Sequence, residues 1–346
     1  MSVGFKAVQW SRNKLVYDAV LLAGLALFLM IFVVANGYFV AGKSYLDRLD
    51  ILIRACGCAA FVMLTIILSI GPLARLDPRV LPVLYNRRHF GVLTFLVACA
   101  HVGLMLEWFA AQGVLPTLLN DFITWPDYAR FVGFPFKTLG LLAFAILFVM
   151  AASSHDFWLQ FLGPPAWKAL HMAVYAAYAL IVMHVALGIM QFDRSPAIPL
   201  MLVAALTTVT TLHIAAGWRE DTTDRGAAPD PDGWLLVGPP SAIPDQRARI
   251  VTAAGGERIA VFRDSARIAA VTNLCAHQNG PLGEGRVIDG CITCPWHGYQ
   301  YRLETGCAPA PFAEKLATYR LRLRDGVIEV HSQALSPGTA ATLLIP

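Results

Sequence analysis

The chain is poor in charged residues. Only 14% of its 346 residues are Asp, Glu, Lys or Arg, whereas 57% are hydrophobic. Soluble domains average about a quarter charged residues, so most of this chain does not have the composition of a soluble protein. The net charge of +4 is not gathered into a basic cluster, and no nucleic-acid partner is predicted.

Two further signals are missing. The sequence has no Gly-rich dinucleotide fingerprint, so it gives no sign of a dinucleotide-binding domain. The first apolar run follows a basic start but is not followed by a small-residue cleavage site. We therefore expect a membrane helix there rather than a removed signal peptide.

Six apolar runs are long enough to cross the hydrocarbon core, which takes about 20 helical residues. They lie near residues 15–38, 51–70, 90–109, 134–152, 167–190 and 196–217. Six spans place both termini on one side of the membrane. Lys and Arg are in excess in the loops on that side, which predicts that both termini are cytoplasmic.

The composition changes after Trp218. Residues 219–232 are polar and are predicted to form a flexible linker. Residues 233–332 contain short alternating strands such as 258–262 and 267–271, and residues 333–346 are predicted to be a loose tail. The expected fold class is multi-domain: a transmembrane bundle of six helices in residues 1–218, followed by an all-β domain.

Two Cys-His pairs lie in the β domain. They are Cys275-Ala276-His277 and Cys294-Pro295-Trp296-His297, with sixteen residues between them. Two such pairs suit a [2Fe–2S] cluster in which thiolates hold one iron and neutral imidazoles hold the other. A structural zinc site is the alternative, although its ligands usually have other spacings.

The run CAHQNGPLGEG, continued by CITCPWHGYQYRLETG, resembles the Rieske iron–sulfur family over roughly residues 233–331. The resemblance implies that Cys275, His277, Cys294 and His297 are the cluster ligands. It also implies that Tyr301 donates a hydrogen bond to a ligand sulfur.

The sequence departs from the respiratory branch of that family at three positions. Gly280 and Trp296 stand where that branch has a disulfide, and Tyr299 replaces a serine that donates to a bridging sulfide. Fewer hydrogen bonds to sulfur stabilise the reduced cluster less. We therefore expect a potential below that of the respiratory proteins, nearer that of oxygenase ferredoxins.

Ionisable residues within spanning helices are costly and usually functional. The third, fifth and sixth apolar runs contain five histidines: His89, His101, His171, His184 and His213. A single such histidine is often only hydrogen-bonded between helices, but several together suggest bis-histidine haem. At a rise of about 1.5 Å per residue, His101 and His184 share an outer level. His171 lies at an inner level, with either His89 or His213 as its partner.

The sequences RRHFG at 87–91, AH at 100–101 and GPPAWKALH at 163–171 resemble the ferric-reductase-like transmembrane family over roughly residues 50–215. The nearest pattern is that of the membrane subunits of methionine sulfoxide reductase systems. The resemblance implies six helices and one or two b-type haems, with His101, His171 and His184 as haem histidines. Such relatives take electrons from a flavin, whereas here the Rieske domain follows the membrane part.

These observations predict an oxidoreductase of the bacterial inner membrane that transfers single electrons. A soluble cytoplasmic donor would reduce the cluster, and haem would carry electrons towards an acceptor at the outer face. That acceptor could be a quinone, a periplasmic redox protein or a small molecule, and lipid is the remaining partner.

Three other functions are less well supported by the sequence. A Rieske oxygenase is disfavoured because too few residues follow His331 for a catalytic domain, and the histidine boxes of a diiron hydroxylase are missing. The alternative left open is a membrane-tethered Rieske redox sensor or ferredoxin-like adaptor without haem.

Overall fold

The computed structural model describes residues 12–84, 87–116, 136–162, 164–188, 190, 195–224, 228–253, 256–277, 279–295 and 298–345. They belong to two compact units. The first unit comprises Trp10–Ser69 and Asn86–Thr211 and is helical. The second unit includes Ile70–Tyr85 and Leu212–Pro346 and contains all ten described strands.

The helices are mostly long and apolar. In chain order they are α1 (Arg12–Ala35), α2 (Tyr45–Leu76), α3 (Leu81–Leu84), α4 (Arg87–Ala111), α5 (Phe136–Ala152), α6 (Asp156–Leu162), α7 (Pro164–His171), α8 (Val174–Leu187) and α9 (Ala197–Asp224). Five described stretches are long and apolar enough to cross a membrane: Leu15–Ala35, Tyr45–Leu76, Arg87–Ala111, Ala166–Leu187 and Ala197–Asp221. At most 39% of any such apolar window is buried, so much apolar surface remains for lipid.

The predicted count of six full-length spans is not matched. The fourth predicted span corresponds to α5, which has 17 described residues and a length of about 25 Å at 1.5 Å per residue. That is slightly short of the ~30 Å hydrocarbon core. Residues 117–135, which precede this helix, lie outside the described part of the chain.

The predicted fifth span is not one continuous helix. Helix α7 ends at His171, a turn follows at Met172 and Ala173, and α8 begins at Val174. The amide of Ala173 donates to the carbonyl of Leu170, 3.1 Å away. His171 therefore lies at a break between two helices, whereas the sequence predicted a position within one helix.

The first unit has a buried core between α2, α8 and α9. Phe61 of α2 stacks on Tyr178 of α8 with ring centroids 5.7 Å apart, and Leu202 and Val209 of α9 join the same cluster. The Tyr178 hydroxyl lies 3.1 Å from the Thr65 hydroxyl. This hydrogen bond satisfies two polar groups that would be costly to leave alone among apolar side chains.

The second unit contains three antiparallel sheets. Their strands are β1 (Trp234–Gly238), β2 (Ala248–Thr252), β3 (Arg258–Asp264), β4 (Arg267–Thr272), β5 (Arg286–Ile288), β6 (Cys291–Thr293), β7 (Gln300–Arg302), β8 (Tyr319–Arg324), β9 (Val327–Ala334) and β10 (Thr342–Leu344). The sheet orders are β1-β9-β8, β10-β4-β3-β2 and β5-β6-β7. The predicted strands at 258–262 and 267–271 are confirmed as parts of β3 and β4.

Strand β3 separates two hydrophobic clusters. Ile259 and Val261 pack into one cluster, whereas Ala260 and Phe262 pack into the other. This follows from the alternation of side chains along a strand. The cluster that contains Phe262 also contains Cys275 and Cys294, so this sheet supports the base of the Cys-His loops.

Two predictions about the flanks of the β domain are wrong. Helix α9 continues to Asp224, so the predicted linker is helical over its first six residues, 219–224. The predicted loose tail contains the end of β9 and all of β10, which pairs with β4. The tail is ordered because Ile345 is buried in the β-domain core and Leu343 packs against it.

Candidate iron–sulfur and haem sites

The two Cys-His loops are closed by their own backbones. In the first loop, the amide of Cys275 donates to the carbonyl of Gly280, 2.9 Å away. In the second, the amide of Cys294 donates to the carbonyl of Tyr299 at 2.8 Å, and that of Gly298 to the carbonyl of Cys294 at 3.0 Å. Gly298 has φ +69°, a conformation that glycine adopts without the strain of a Cβ.

Both predicted thiol ligands lie inside the β domain. Cys275 is 0% exposed and Cys294 is 1% exposed. The Tyr301 hydroxyl lies 3.3 Å from Cys275 Sγ and accepts a hydrogen bond from the His277 amide at 3.1 Å. Burial, followed by the neighbouring Cys275, raises the pKa of Tyr301. Its hydroxyl thus stays protonated and can donate to sulfur.

Tyr299 supports the first imidazole. Its ring stacks on that of His277 with centroids 4.5 Å apart and planes 8° apart. The Tyr299 hydroxyl donates a hydrogen bond to Glu314, and the Phe312 ring packs against the Tyr299 ring with centroids 5.1 Å apart. Tyr299 replaces the serine of the respiratory branch. Its ring contacts the His277 imidazole, and its hydroxyl is engaged by Glu314.

The ligand set is not described in full. His297 and Trp296 lie outside the described residues, and the residues that are described contain no group of three or more metal-binding side chains. The donors that are described fit mixed ligation. Two buried thiols share one core cluster, and one imidazole is fixed by an aromatic stack.

The first unit holds two histidines in closely similar surroundings. His101 of α4 places Nδ1 2.9 Å from the Ile53 carbonyl of α2. His184 of α8 places Nδ1 2.8 Å from the Phe136 carbonyl of α5. A histidine whose Nδ1–H is given to a carbonyl presents Nε2 as its ligating nitrogen, a usual arrangement for metal-bound imidazole.

His171 shows the same pattern at the helix break. Its Nδ1 lies 2.9 Å from the Trp167 carbonyl, and the Trp167 ring stacks on it with centroids 3.8 Å apart. Its Nε2 is buried and has no hydrogen-bond partner among the residues that the structure describes. A buried polar atom in this state is costly, so His171 fits a ligand position for an iron porphyrin.

The two candidates for the inner partner differ in surroundings. His89 places Nδ1 2.9 Å from a carboxylate oxygen of Asp18 in α1. His213 lies in α9, in the second unit. The carboxylate of Asp18 is a partner of the kind that orients metal-bound histidines. The same contact is also accounted for by a structural ion pair between His89 and Asp18 that involves no metal.

Sequence reasoning missed several residues of these sites. Asp18 is an acidic residue within the first apolar run, and that unusual placement was a usable signal. Glu314 lies outside the ligand loops, and nothing in its local sequence indicates that it meets Tyr299. Gly57 and Gly140 lie within helices, where glycine is unfavourable, and a Cβ at these positions would contact His101 and His184, respectively.

Two family models match the chain. Residues 233–320 match the Rieske [2Fe-2S] domain, and residues 56–182 match the ferric reductase like transmembrane component. The two matches do not overlap along the chain.

The curated relatives divide in the same way. The protein-methionine-sulfoxide reductase heme-binding subunit MsrQ of Caulobacter vibrioides is 30% identical over 195 residues, covering 54% of this chain and 82% of that protein. The anthranilate 1,2-dioxygenase ferredoxin subunit of Burkholderia cepacia is 40% identical over 79 residues, covering 22% of this chain and 73% of that protein. Among solved structures, the Sphingomonas yanoikuyae B1 ferredoxin matches with a TM-score of 0.26 and 26% identity, covering 28% of this chain and 96% of that one.

Half-buried histidines in a multi-pass helical part, together with buried cysteines in a β domain, are typical of a membrane-bound redox protein. The chain belongs to the ferric-reductase-like transmembrane family, with the haem-binding MsrQ subunits as relatives, and carries a C-terminal Rieske domain. Both predicted resemblances are confirmed. The Rieske domain implies a [2Fe–2S] cluster, and the membrane relatives imply b-type haem.

Proposed function

We propose that this protein passes single electrons between a cytoplasmic Rieske cluster and b-type haem within the inner membrane, towards an acceptor at the outer face. When bound, each of the two cofactors takes up and releases one electron at a time. The protein provides ligands, burial and hydrogen bonds that set their potentials. The main support for the proposal is that three histidines have Nδ1 within hydrogen-bond distance of a backbone carbonyl. They are His101, His171 and His184.

The ligand assignment follows from these contacts. His101 and His184 are proposed as one haem pair because each is anchored on a carbonyl of a neighbouring helix. His171 is proposed as a ligand of a second haem, with His89 or His213 completing the pair. Cys275, His277, Cys294 and His297 are proposed as the four cluster ligands.

The β-domain residues tune the cluster. The Tyr301 hydroxyl beside Cys275 Sγ stabilises extra negative charge on the sulfur and hence the reduced cluster. The second such donor of the respiratory branch is replaced by Tyr299, whose hydroxyl is engaged by Glu314. We propose that the cluster potential is correspondingly low, which suits a cluster that delivers electrons.

The partners follow from this arrangement. We propose a soluble cytoplasmic electron donor for the cluster and, as acceptor, a quinone, a periplasmic redox protein or a small molecule. We also propose that a membrane domain (residues 1–218) precedes a Rieske domain (residues 233–332), and that both termini lie in the cytoplasm.

The proposal is tested by haem analysis of the purified full-length chain. We expect dithionite-reduced protein to show the α and β bands of b-type haem, with one or two haems for each [2Fe–2S] cluster. His101→Ala, His171→Ala and His184→Ala should each lower the haem content while the Rieske EPR signal persists. His155→Ala, which alters an exposed histidine of the same unit, is the matched control. A chain with a full cluster and no haem bands would refute the proposal in favour of a haem-free sensor.

A further inference from the structure

We infer that Gly57 and Gly140 are positioning residues that seat the imidazoles of His101 and His184 against the carbonyls of neighbouring helices. The inference rests on the proposed function, in which these histidines ligate haem. We call each arrangement a carbonyl–glycine socket. A helix carbonyl at position i accepts a hydrogen bond from the imidazole, and a glycine at position i+4 leaves room for the ring.

The first socket lies on α2. The carbonyl that meets His101 Nδ1 belongs to Ile53, and Gly57 follows four residues later. In an α-helix the carbonyl of residue i accepts from the amide of residue i+4, so Ile53 and Gly57 are partners in the same turn. A Cβ on Gly57 would lie 3.1 Å from both Cε1 and Nδ1 of His101.

The second socket repeats this geometry on α5. The carbonyl that meets His184 Nδ1 belongs to Phe136, and Gly140 follows four residues later. A Cβ on Gly140 would lie 2.8 Å from Nδ1 and 2.9 Å from Cε1 of His184. The same spacing and the same contacted ring atoms occur on two different helices, so the arrangement is not an accident of one contact.

The sockets have a chemical consequence. A carbonyl that already accepts its helical hydrogen bond can accept a second one from Nδ1–H, because it has two lone pairs. This fixes the Nδ1–H tautomer and makes Nε2 the more basic, ligating nitrogen. A methyl group at position 57 or 140 would push the ring away from the carbonyl, weaken that hydrogen bond and turn the imidazole plane.

Glycine at these positions is not explained by helix stability. Alanine is the better helix former, so helix propensity alone predicts that Gly57→Ala and Gly140→Ala are neutral or stabilising. The socket reading predicts damage to haem binding. Gly103 of α4 and Gly24 of α1 are matched controls, because a Cβ at either would meet nothing within 4 Å.

The experiment compares Gly57→Ala, Gly140→Ala, Gly103→Ala and Gly24→Ala in the full-length chain. Haem per chain is counted against the [2Fe–2S] cluster, which reports on correct folding of the β domain. Haem potentials are measured by optical titration, and ligand geometry by low-temperature EPR of ferric haem.

We expect Gly57→Ala and Gly140→Ala to weaken haem retention by about tenfold, the lower end of the effect of losing an outer-sphere partner. The reduction potential of the haem that remains should rise. The rise is about 59 mV for each tenfold increase in the binding of ferrous haem relative to ferric haem. The ferric EPR signal should shift because the ligand planes rotate. The two control variants should match the wild type in all three readouts.

Unchanged haem content, potential and EPR signal in Gly57→Ala and Gly140→Ala would refute the positioning role of these glycines. The proposed function would then still stand. Equal losses in Gly103→Ala and Gly24→Ala would also overturn them, because the damage would then not depend on contact with the ring. A wild-type chain without haem would instead refute the proposed function itself.

Discussion

Replacing Tyr301 with phenylalanine tests how the β domain sets the cluster potential. The substitution removes one hydroxyl, which lies 3.3 Å from Cys275 Sγ and accepts from the His277 amide at 3.1 Å. A hydrogen bond to a charged group contributes about 1.5–3 kcal/mol. We take about 1 kcal/mol of this energy to be gained only when the cluster is reduced. Because 59 mV corresponds to a tenfold change in the one-electron equilibrium constant, or about 1.4 kcal/mol, losing the hydrogen bond lowers the potential by about 40 mV.

The same substitution should also cost stability. The part-buried His277 amide loses its acceptor, which costs at most about 1–3 kcal/mol. The assay is an EPR-monitored redox titration of the full-length chain, combined with thermal loss of the cluster's visible circular dichroism. Tyr301→Phe should show both a lower potential and a lower melting temperature.

Tyr319→Phe is the matched control. Tyr319 is also a fully buried tyrosine of the β domain, but its hydroxyl donates to Glu257 and its ring packs in the other core cluster. We expect this variant to lose stability without a change in potential. An unchanged or raised potential in Tyr301→Phe, or an equal fall in both variants, would refute the reasoning.

Three further predictions concern the charge and packing of the described residues. Burial raises the pKa of the Glu284 carboxyl above its usual 4.5. The stability that comes from the protonated carboxyl is therefore fully present below pH 4.5 and is lost as the pH rises through the folded-state pKa. Glu284→Gln should therefore melt above the wild type at pH 7 but not at pH 4, and identical pH profiles would contradict this. Asp18→Ala should destabilise the helical unit by about 1 kcal/mol, because the partner of His89 is lost; an unchanged melting temperature of the haem bands would contradict it. Deleting residues 342–346 should lower the stability of the β domain by at least the ~1.5–3 kcal/mol of burying Ile345, whereas a loose tail would be removable without effect.

The cluster motif could be predicted from sequence because its chemistry is local. Each Cys-His pair lies within four residues of the chain, and the loops close through near-neighbour hydrogen bonds such as that from Cys275 to Gly280. Strands such as β3 were also predictable, because buried strands have a compact apolar pattern with turns at both ends.

The contacts that tune the sites were not predictable, because they join residues distant in the sequence. Glu314 reaches Tyr299 from fifteen residues away, and Asp18 reaches His89 across 71 residues. The pairing of β10 with β4 was missed for the same reason, since the composition of the last residues suggested a loop while their packing partners lie about 75 residues earlier. The break after His171 was hidden because both flanking segments are apolar.

The most direct test of the central claim is pulse radiolysis of the purified full-length protein, with one electron or fewer delivered to each chain. Cluster and haem absorbances are followed after the pulse. The account predicts that the electron redistributes between cluster and haem with a first-order rate that does not depend on protein concentration. An electron that stays where it first lands, or an exchange rate that rises in proportion to protein concentration, would contradict transfer within one chain.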